Sequence, residues 1–226
     1  MIMNMFEQFM SPELLMIPTA PLSMLIPILL IHHKPKLLGN RMTTAITWLL
    51  KTTMSNMTNQ LTPNGQKWCR ILTSLLVTIL LSNLLGLLPY TFTTTSQLSM
   101  NMSMAIPLWM ATVITGVMKK PSITLAHMLP ESSPTPLIPF MVVIETISLL
   151  MRPLALGVRL TANITAGHLL MTMVSTATLN TIGSYATLSA MTWMLLLLLS
   201  ILELAVACIQ AYVFVLLVIL YLQENT

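Results

Sequence analysis

The stretch SYATLSAMTWMLLLLLSILELAVACIQAYVFVLLVILYL, residues 184–222, contains a single charged side chain, Glu203. As a continuous helix it would be about 55 Å long, whereas a simple bilayer crossing needs only about 20 residues. A second apolar stretch of similar length, residues 137–175, precedes it. We therefore predict two long membrane helices that are steeply tilted, bent or partly parallel to the membrane plane, paired as a hairpin.

The composition of the whole chain also indicates an integral membrane protein. Of its 226 residues, 55% are hydrophobic and 7% are charged, whereas a soluble domain carries about 25% charged residues. A chain this poor in charge cannot cover a water-facing surface. The net charge is +4, but the basic residues form no dense cluster. We therefore expect a lipid bilayer as the surrounding medium and no nucleic acid as a partner.

The sequence offers no site for a metal, a cofactor or bond-making chemistry. Cys69 and Cys208 lie singly in apolar segments, without metal-ligand spacing. We find no pair of membrane-phase histidines for haem, no glycine-rich phosphate loop and no nucleophile–base set. We predict no cofactor and no catalytic site, and the polar residues inside the apolar segments indicate proton or ion handling.

The remaining segments complete an all-α membrane protein with about five crossing helices and one amphipathic surface helix. The predicted elements of this single membrane domain, residues 1–226, are a first span at 14–31, the surface helix at 41–57, a hairpin of spans at 68–88 and 104–118, and long tilted helices at 137–175 and 184–222. Apolar residues recur at helical spacing from Met42 to Met57, a pattern that also suits packing against the chain's other helices. Pro153 predicts a bend in the first long helix.

Charge predicts the topology of the chain. Six of the basic residues fall in the connection from Lys34 to Arg70, and Lys119 and Lys120 fall in another connection two crossings later. The alternate connections, residues 91–103 and 176–183, are uncharged. Because basic residues favour the inner side of a membrane, we expect the N-terminus outside and the C-terminus inside.

A few ionisable residues lie within the predicted spans. An ionisable group at a helix centre costs at least about 2.5–3.5 kcal/mol, so such groups are functional candidates. Glu145, Arg152 and Arg159 recur at a spacing of seven and share one helix face, to which Asn163 also belongs. Alanines 155, 162 and 166 follow the same face, and small residues let another helix approach closely. Arg152 lies nearer the start of the helix, where its side chain can extend to the membrane surface. A purely structural role is therefore an equal alternative for Arg152.

The two long helices contribute a second set of polar residues. His168 lies on the side opposite Arg159, whereas Glu203, Ala207 and Gln210 form a stripe on the last helix. A histidine near a carboxylate suits proton transfer because it changes charge near neutral pH, although a lone histidine can simply be buried and satisfied. Glu145 is about 21 Å from Arg159 along a helix, so the carboxylate partner of Arg159 must be Glu203 or come from another chain.

Three motifs carry a resemblance to a known family. They are MRPLALGVRLTANITAGH at residues 151–168, LELAVACIQAYVF at 202–214 and SNLLGLLPY at 82–90. They closely resemble subunit a of animal mitochondrial ATP synthases, and the resemblance covers the whole chain. It implies a non-catalytic subunit in the mitochondrial inner membrane, with its N-terminus in the intermembrane space and its C-terminus in the matrix. The implied partners are a rotating ring of c subunits, the peripheral-stalk subunit b and other small membrane subunits.

The resemblance also implies a role for each polar residue in proton translocation. An uptake half-channel and the rotor-facing surface would include Asn163, His168, Glu203 and Gln210. A release half-channel would include Glu145, and the positive charge of Arg159 would separate the two. Proton flow through this pathway would be coupled to ATP synthesis by rotation of the ring.

Two other functions fit a membrane protein of this composition. A self-contained ion-coupled transporter usually shows internal repeats, and this sequence shows no clear repeat. A structural or assembly subunit of a respiratory complex would not need Arg159 to be charged.

Overall fold

The computed structural model describes residues 9–14, 17–31, 41–60, 65–88, 91–119, 121–122, 137–183 and 186–225. This part of the chain is almost entirely helical, which confirms the predicted all-α class. The helices are α1 (Thr19–Ile31), α2 (Arg41–Gln60), α3 (Cys69–Gly86), α4 (Leu98–Lys119), α5 (Ile138–Ile182) and α6 (Ala186–Asn225). Two-residue strands, β1 (Glu13–Leu14) and β2 (Ile17–Pro18), pair in antiparallel fashion before α1.

Four of the described helices are long and apolar enough to cross a membrane, namely α3, α4, α5 and α6. The predicted first span is helical over Thr19–Ile31, which is 13 residues. That helix is about 20 Å long, shorter than the roughly 30 Å hydrocarbon core of a bilayer. A fifth crossing at this position therefore stays a prediction.

Helix α4 begins at Leu98, whereas the sequence predicted a span beginning at residue 104. The polar residues between the two positions suggested a loop, but in the structure they belong to the helix, and one of them is shielded from solvent by other residues of the chain. Asn101 is fully buried. A hydropathy pattern cannot separate a polar residue that faces protein from one that faces water, and this explains the difference.

The long helices extend beyond their predicted limits. Helix α5 is 45 residues long and ends at Ile182, although residues 176–182 were predicted to be part of a loop. The hydroxyls of Thr176, Thr178 and Thr181 donate to carbonyls three or four residues earlier in the same helix. These bonds satisfy the hydroxyls within the helix, so the threonines do not interrupt it. Helix α6, of 40 residues, forms the second arm of the predicted hairpin.

Helix α2 covers the segment that was predicted to be an amphipathic surface helix. Ile46 and Leu49 of the predicted apolar face are exposed, whereas Met57 is buried. The Sγ of Cys69, at the start of α3, lies 3.5 Å from the carbonyl oxygen of Met54. One end of α2 therefore packs on α3, and its exposed apolar residues suit the predicted position at a lipid surface.

The chain divides into two compact units. The first comprises the described parts of Met1–His33, Val77–Met100 and Arg159–Tyr212, and the second comprises those of Lys34–Leu76, Asn101–Val158 and Val213–Thr226. Buried apolar side chains form the core of each unit. In the first unit they include Ile79, Leu160, Ile164, Ala207 and Ala211, and in the second Leu72, Leu156, Val215, Val218 and Leu222.

Candidate functional site

Two ionisable side chains of the first unit face each other from the two long helices. His168 Nε2 on α5 lies 3.9 Å from Glu203 Oε1 on α6. Both atoms are buried, and neither has a hydrogen-bond partner among the described residues. The separation exceeds the roughly 3.2 Å limit of a direct hydrogen bond. The two groups are nevertheless close enough for a proton to pass after a small side-chain movement or through one water molecule.

Gly167 allows Glu203 to come this close to α5. A Cβ atom added at Gly167 would lie 2.7 Å from Glu203 Oε1 and 3.2 Å from Glu203 Cδ. Any larger residue at this position would displace the carboxylate. The absence of a side chain therefore sets the position of Glu203 beside His168.

A segment near the N-terminus packs against one side of the His168 ring. The ring of Phe9 meets the His168 ring edge-on, with 6.4 Å between centroids and 77° between planes. Gln97 Nε2 donates a hydrogen bond of 2.8 Å to the Phe9 carbonyl oxygen. Neither Phe9 nor Gln97 was predicted from the sequence to be a site residue. Their contacts join segments that are far apart in sequence, and no periodic pattern signals such a contact.

A second buried polar side chain, that of Asn83, contacts helix α6 near Glu203. Its side chain is 1% exposed, and its Nδ2 donates to the Ala207 carbonyl oxygen at 3.3 Å, one turn beyond Glu203. Its Oδ1 has no hydrogen-bond partner among the described residues. Asn83 was also missed as a site residue, although an asparagine in the middle of an apolar span is a signal that could have identified it.

Arg159 stands apart from the histidine–glutamate pair. It is exposed on α5, together with Ala162 and Ala166. Among the described residues, no ion pair or side-chain hydrogen bond includes Arg159. The Arg159–Glu203 pair that the sequence left open is therefore not formed, because Glu203 faces His168 instead. Asn163 and Gln210 are both partly buried, and among the described residues neither forms a hydrogen bond with Arg159.

Glu145 belongs to a cluster in the second unit. Its Oε1 lies 3.9 Å from Arg152 Nη2, one of the two terminal nitrogens of that guanidinium. The other, Nη1, pairs with Glu224 Oε2 near the end of α6. The Arg152 guanidinium carbon also lies 5.0 Å from the centroid of the Tyr221 ring. Arg152, whose role the sequence left open, therefore connects Glu145 to the last turns of the chain.

No metal site is found in the part of the chain that the structure describes, since no three or more histidine, cysteine or acidic side chains lie close enough to hold an ion. Cys69 and Cys208 are both free thiols. The polar residues of the crossing helices thus include an ionisable pair, an unpaired arginine and a three-charge cluster.

The fold and these side chains define a multi-pass α-helical membrane protein that carries ionisable groups inside its crossing helices. Residues 14–223 match the model of the family described as ATP synthase A chain. The chain belongs to this family.

Its relatives include proteins named ATP synthase F(0) complex subunit a. That of Lycodon semicarinatus is 86% identical over 226 residues and covers 100% of both chains. That of Struthio camelus is 58% identical over 224 residues, or 99% of each chain. That of Scyliorhinus canicula is 50% identical over 226 residues and 100% of each chain.

Proposed function

We propose that this chain is the proton-translocating stator subunit of an F-type ATP synthase in the mitochondrial inner membrane. Full-length similarity to vertebrate proteins named as F(0) complex subunit a supports this assignment. The chain itself carries no catalytic site. It conducts protons to and from a rotating ring of c subunits, whose rotation drives ATP synthesis elsewhere in the complex.

The unpaired charge of Arg159 is the observation that carries the proposal. Arg159 lies in a helix that is long and apolar enough to cross a membrane, and it is exposed without a described ionic partner. An arginine facing lipid there would cost several kcal/mol. A partner from outside the chain removes this cost, and the carboxyl group of a c subunit has the required charge. The exposed alanines 162 and 166 leave room for the partner helix.

Arg159 would act as a barrier as well as a partner. Arginine remains protonated when it is removed from water, whereas lysine can lose its proton. Its fixed charge favours the ionised form of the ring carboxyl and repels a proton that would cross directly. Protons are therefore forced to travel on the ring, around the lipid-facing side.

The His168–Glu203 pair would serve the uptake half-channel. Protons arriving from the intermembrane space are taken up by these two groups and passed to the ring. Asn163 and Gln210 provide neutral polar groups for the same half-channel and the rotor-facing surface. The buried amide of Asn83 suits a lining position near Glu203, because its Oδ1 offers a hydrogen-bond acceptor in an apolar span.

Glu145 would serve the release half-channel toward the matrix. Each charge that moves through 100 mV yields about 2.3 kcal/mol, and rotation couples this energy to ATP synthesis.

In the proposed orientation of the chain, the N-terminus lies in the intermembrane space and the C-terminus lies in the matrix. Subunit b of the peripheral stalk and other small membrane subunits hold the chain stationary beside the ring.

The Arg159→Ala variant tests the proposal in the complete ATP synthase, reconstituted into liposomes. We expect ATP-driven proton pumping to be lost and a passive proton leak to appear. Leu170→Ala is the matched control, because Leu170 is an exposed residue of the same helix and carries no charge. Coupled ATP synthesis at the control rate in Arg159→Ala would contradict the proposal. It would favour a structural subunit, which does not need this charge.

A further inference from the structure

The guanidinium of Arg152 lies between two carboxylates that come from different helices. Its Nη2 faces Glu145 Oε1 of α5 at 3.9 Å, and its Nη1 pairs with Glu224 Oε2 of α6. The ring of Tyr221, one helical turn before Glu224, packs against the guanidinium at 5.0 Å. All four residues belong to the second unit.

The geometry suits arginine rather than lysine. A guanidinium presents several N–H donors in a rigid plane and can engage two carboxylates through different nitrogens. Its flat face also packs favourably on an aromatic ring. A lysine ammonium retains the charge but lacks the plane that joins these three partners.

The contacts of Arg152 are unequal. Arg152 Nη1 donates a hydrogen bond to Glu224, and the Tyr221 ring packs against the guanidinium, whereas Glu145 lies 3.9 Å from Nη2, beyond hydrogen-bonding distance. The side chain of Arg152 is 23% exposed, and those of Glu145 and Glu224 are 37% and 45% exposed. The end of α6 therefore holds the arginine, and the arginine in turn faces Glu145. No other ion pair among the described residues involves either carboxylate.

We propose that Arg152 is a positioning residue for the release half-channel: held by Glu224 and Tyr221, it fixes the position of the Glu145 carboxylate. This inference rests on the proposed function, because it requires Glu145 to carry protons toward the matrix. It adds Arg152, Tyr221 and Glu224 to the residues on which proton release depends. Removal of the arginine leaves two carboxylates without their shared positive charge, and Glu145 loses its nearest fixed partner.

A double-mutant cycle between Arg152→Gln and Glu145→Gln tests the inference. The complete ATP synthase is reconstituted into liposomes, and its ATP synthesis rate is measured under an imposed proton gradient. We expect Arg152→Gln alone to slow synthesis about threefold to tenfold and to have almost no further effect in the Glu145→Gln background. Contacting residues that act through one another are non-additive in this way, whereas independent sites are additive.

Two further variants test how the arginine is held. Glu224→Gln should reproduce a large part of the Arg152→Gln defect, because it removes the closest partner of the guanidinium. Leu220→Ala is the control and should keep the normal rate, because Leu220 is an exposed, uncharged residue of the same helix.

A charge-retaining variant separates positioning from general packing. Arg152→Lys keeps a positive charge facing Glu145 but loses the planar guanidinium, so it should restore part of the synthesis rate that Arg152→Gln loses. A defect of packing alone would be as severe in Arg152→Lys as in Arg152→Gln. Equal rates in these two variants would therefore overturn the inference.

The rates of these variants distinguish a failure of the positioning role of Arg152 from a failure of the proposed release path through Glu145. A normal rate in Glu145→Gln would show that Glu145 is not in the release path. The release role of Glu145 and the positioning role of Arg152 would then both be wrong. A slow Glu145→Gln variant with a fully additive effect of Arg152→Gln would leave the release path intact and overturn the role of Arg152. A normal rate in Arg152→Gln would do the same.

Discussion

The carboxylate of Glu203 lies directly against the backbone of Gly167, so closely that a Cβ at residue 167 would stand 2.7 Å from Glu203 Oε1. This contact brings the carboxylate beside His168, the next residue on α5. A single missing side chain thereby sets the geometry of the proposed uptake pair.

The first prediction concerns the Gly167→Ala variant. The added methyl group meets the end of a flexible side chain rather than backbone, so the fold can accept it at little cost. Glu203 must move, however, and its distance to His168 changes. We expect normal assembly on native gels with proton uptake reduced severalfold in reconstituted complexes.

Gly183→Ala is the matched control for this variant. A Cβ at Gly183 meets nothing within 4 Å, so uptake should remain normal. Equal rates for Gly167→Ala and the unmodified complex would show that the position of Glu203 does not matter for uptake.

The second prediction concerns the chemical identity of the pair. Glu203→Gln removes a proton-carrying group and should slow proton uptake across the pH range. The exchange of the two residues, His168→Glu with Glu203→His, keeps both proton carriers at neighbouring positions. We expect this double variant to conduct faster than either of its single variants, as measured by gradient-driven flux. Unchanged flux in Glu203→Gln would remove the pair from the pathway.

The third prediction concerns the buried amide of Asn83. Asn83→Leu removes a hydrogen bond to the Ala207 carbonyl oxygen, and side-chain hydrogen bonds between membrane helices contribute only about 0.6 kcal/mol on average. Thermal stability should therefore change little. Proton uptake should fall severalfold, because an apolar side chain replaces the polar group proposed to line the path beside Glu203.

Ser82→Ala separates this effect from a general loss of polarity in α3. The Ser82 hydroxyl is bonded to the Ile79 carbonyl oxygen within its own helix, so its removal should leave uptake unchanged. If Asn83→Leu conducts at the same rate as Ser82→Ala, the amide is a packing residue.

Features that depend on the local pattern of apolar and ionisable residues could be predicted from the sequence. Long apolar runs indicated α5 and α6, and ionisable residues inside them identified Glu145, Arg159, His168 and Glu203 as candidates. Helical spacing also placed His168 opposite Arg159, in agreement with the structure, where Arg159 is exposed and His168 faces Glu203.

Contacts between distant segments could not be predicted in this way. The Gln97–Phe9 bond joins residues 88 positions apart, and the Arg152–Glu224 pair joins residues 72 positions apart. Glu224 lies at the polar end of α6, where a charged residue in sequence indicates only a membrane boundary. Its pairing depends on how α6 packs on α5, which periodicity does not specify.

The most direct test of the central claim is the distance from the Arg159 guanidinium to the nearest carboxyl group of a c subunit, measured in an experimental density map of the assembled complex. We predict that a ring carboxyl comes within about 6 Å of Arg159, the range over which an opposite charge favours the ionised form of a carboxyl. A map in which Arg159 instead pairs with a carboxylate of its own chain, away from the ring, would contradict the account.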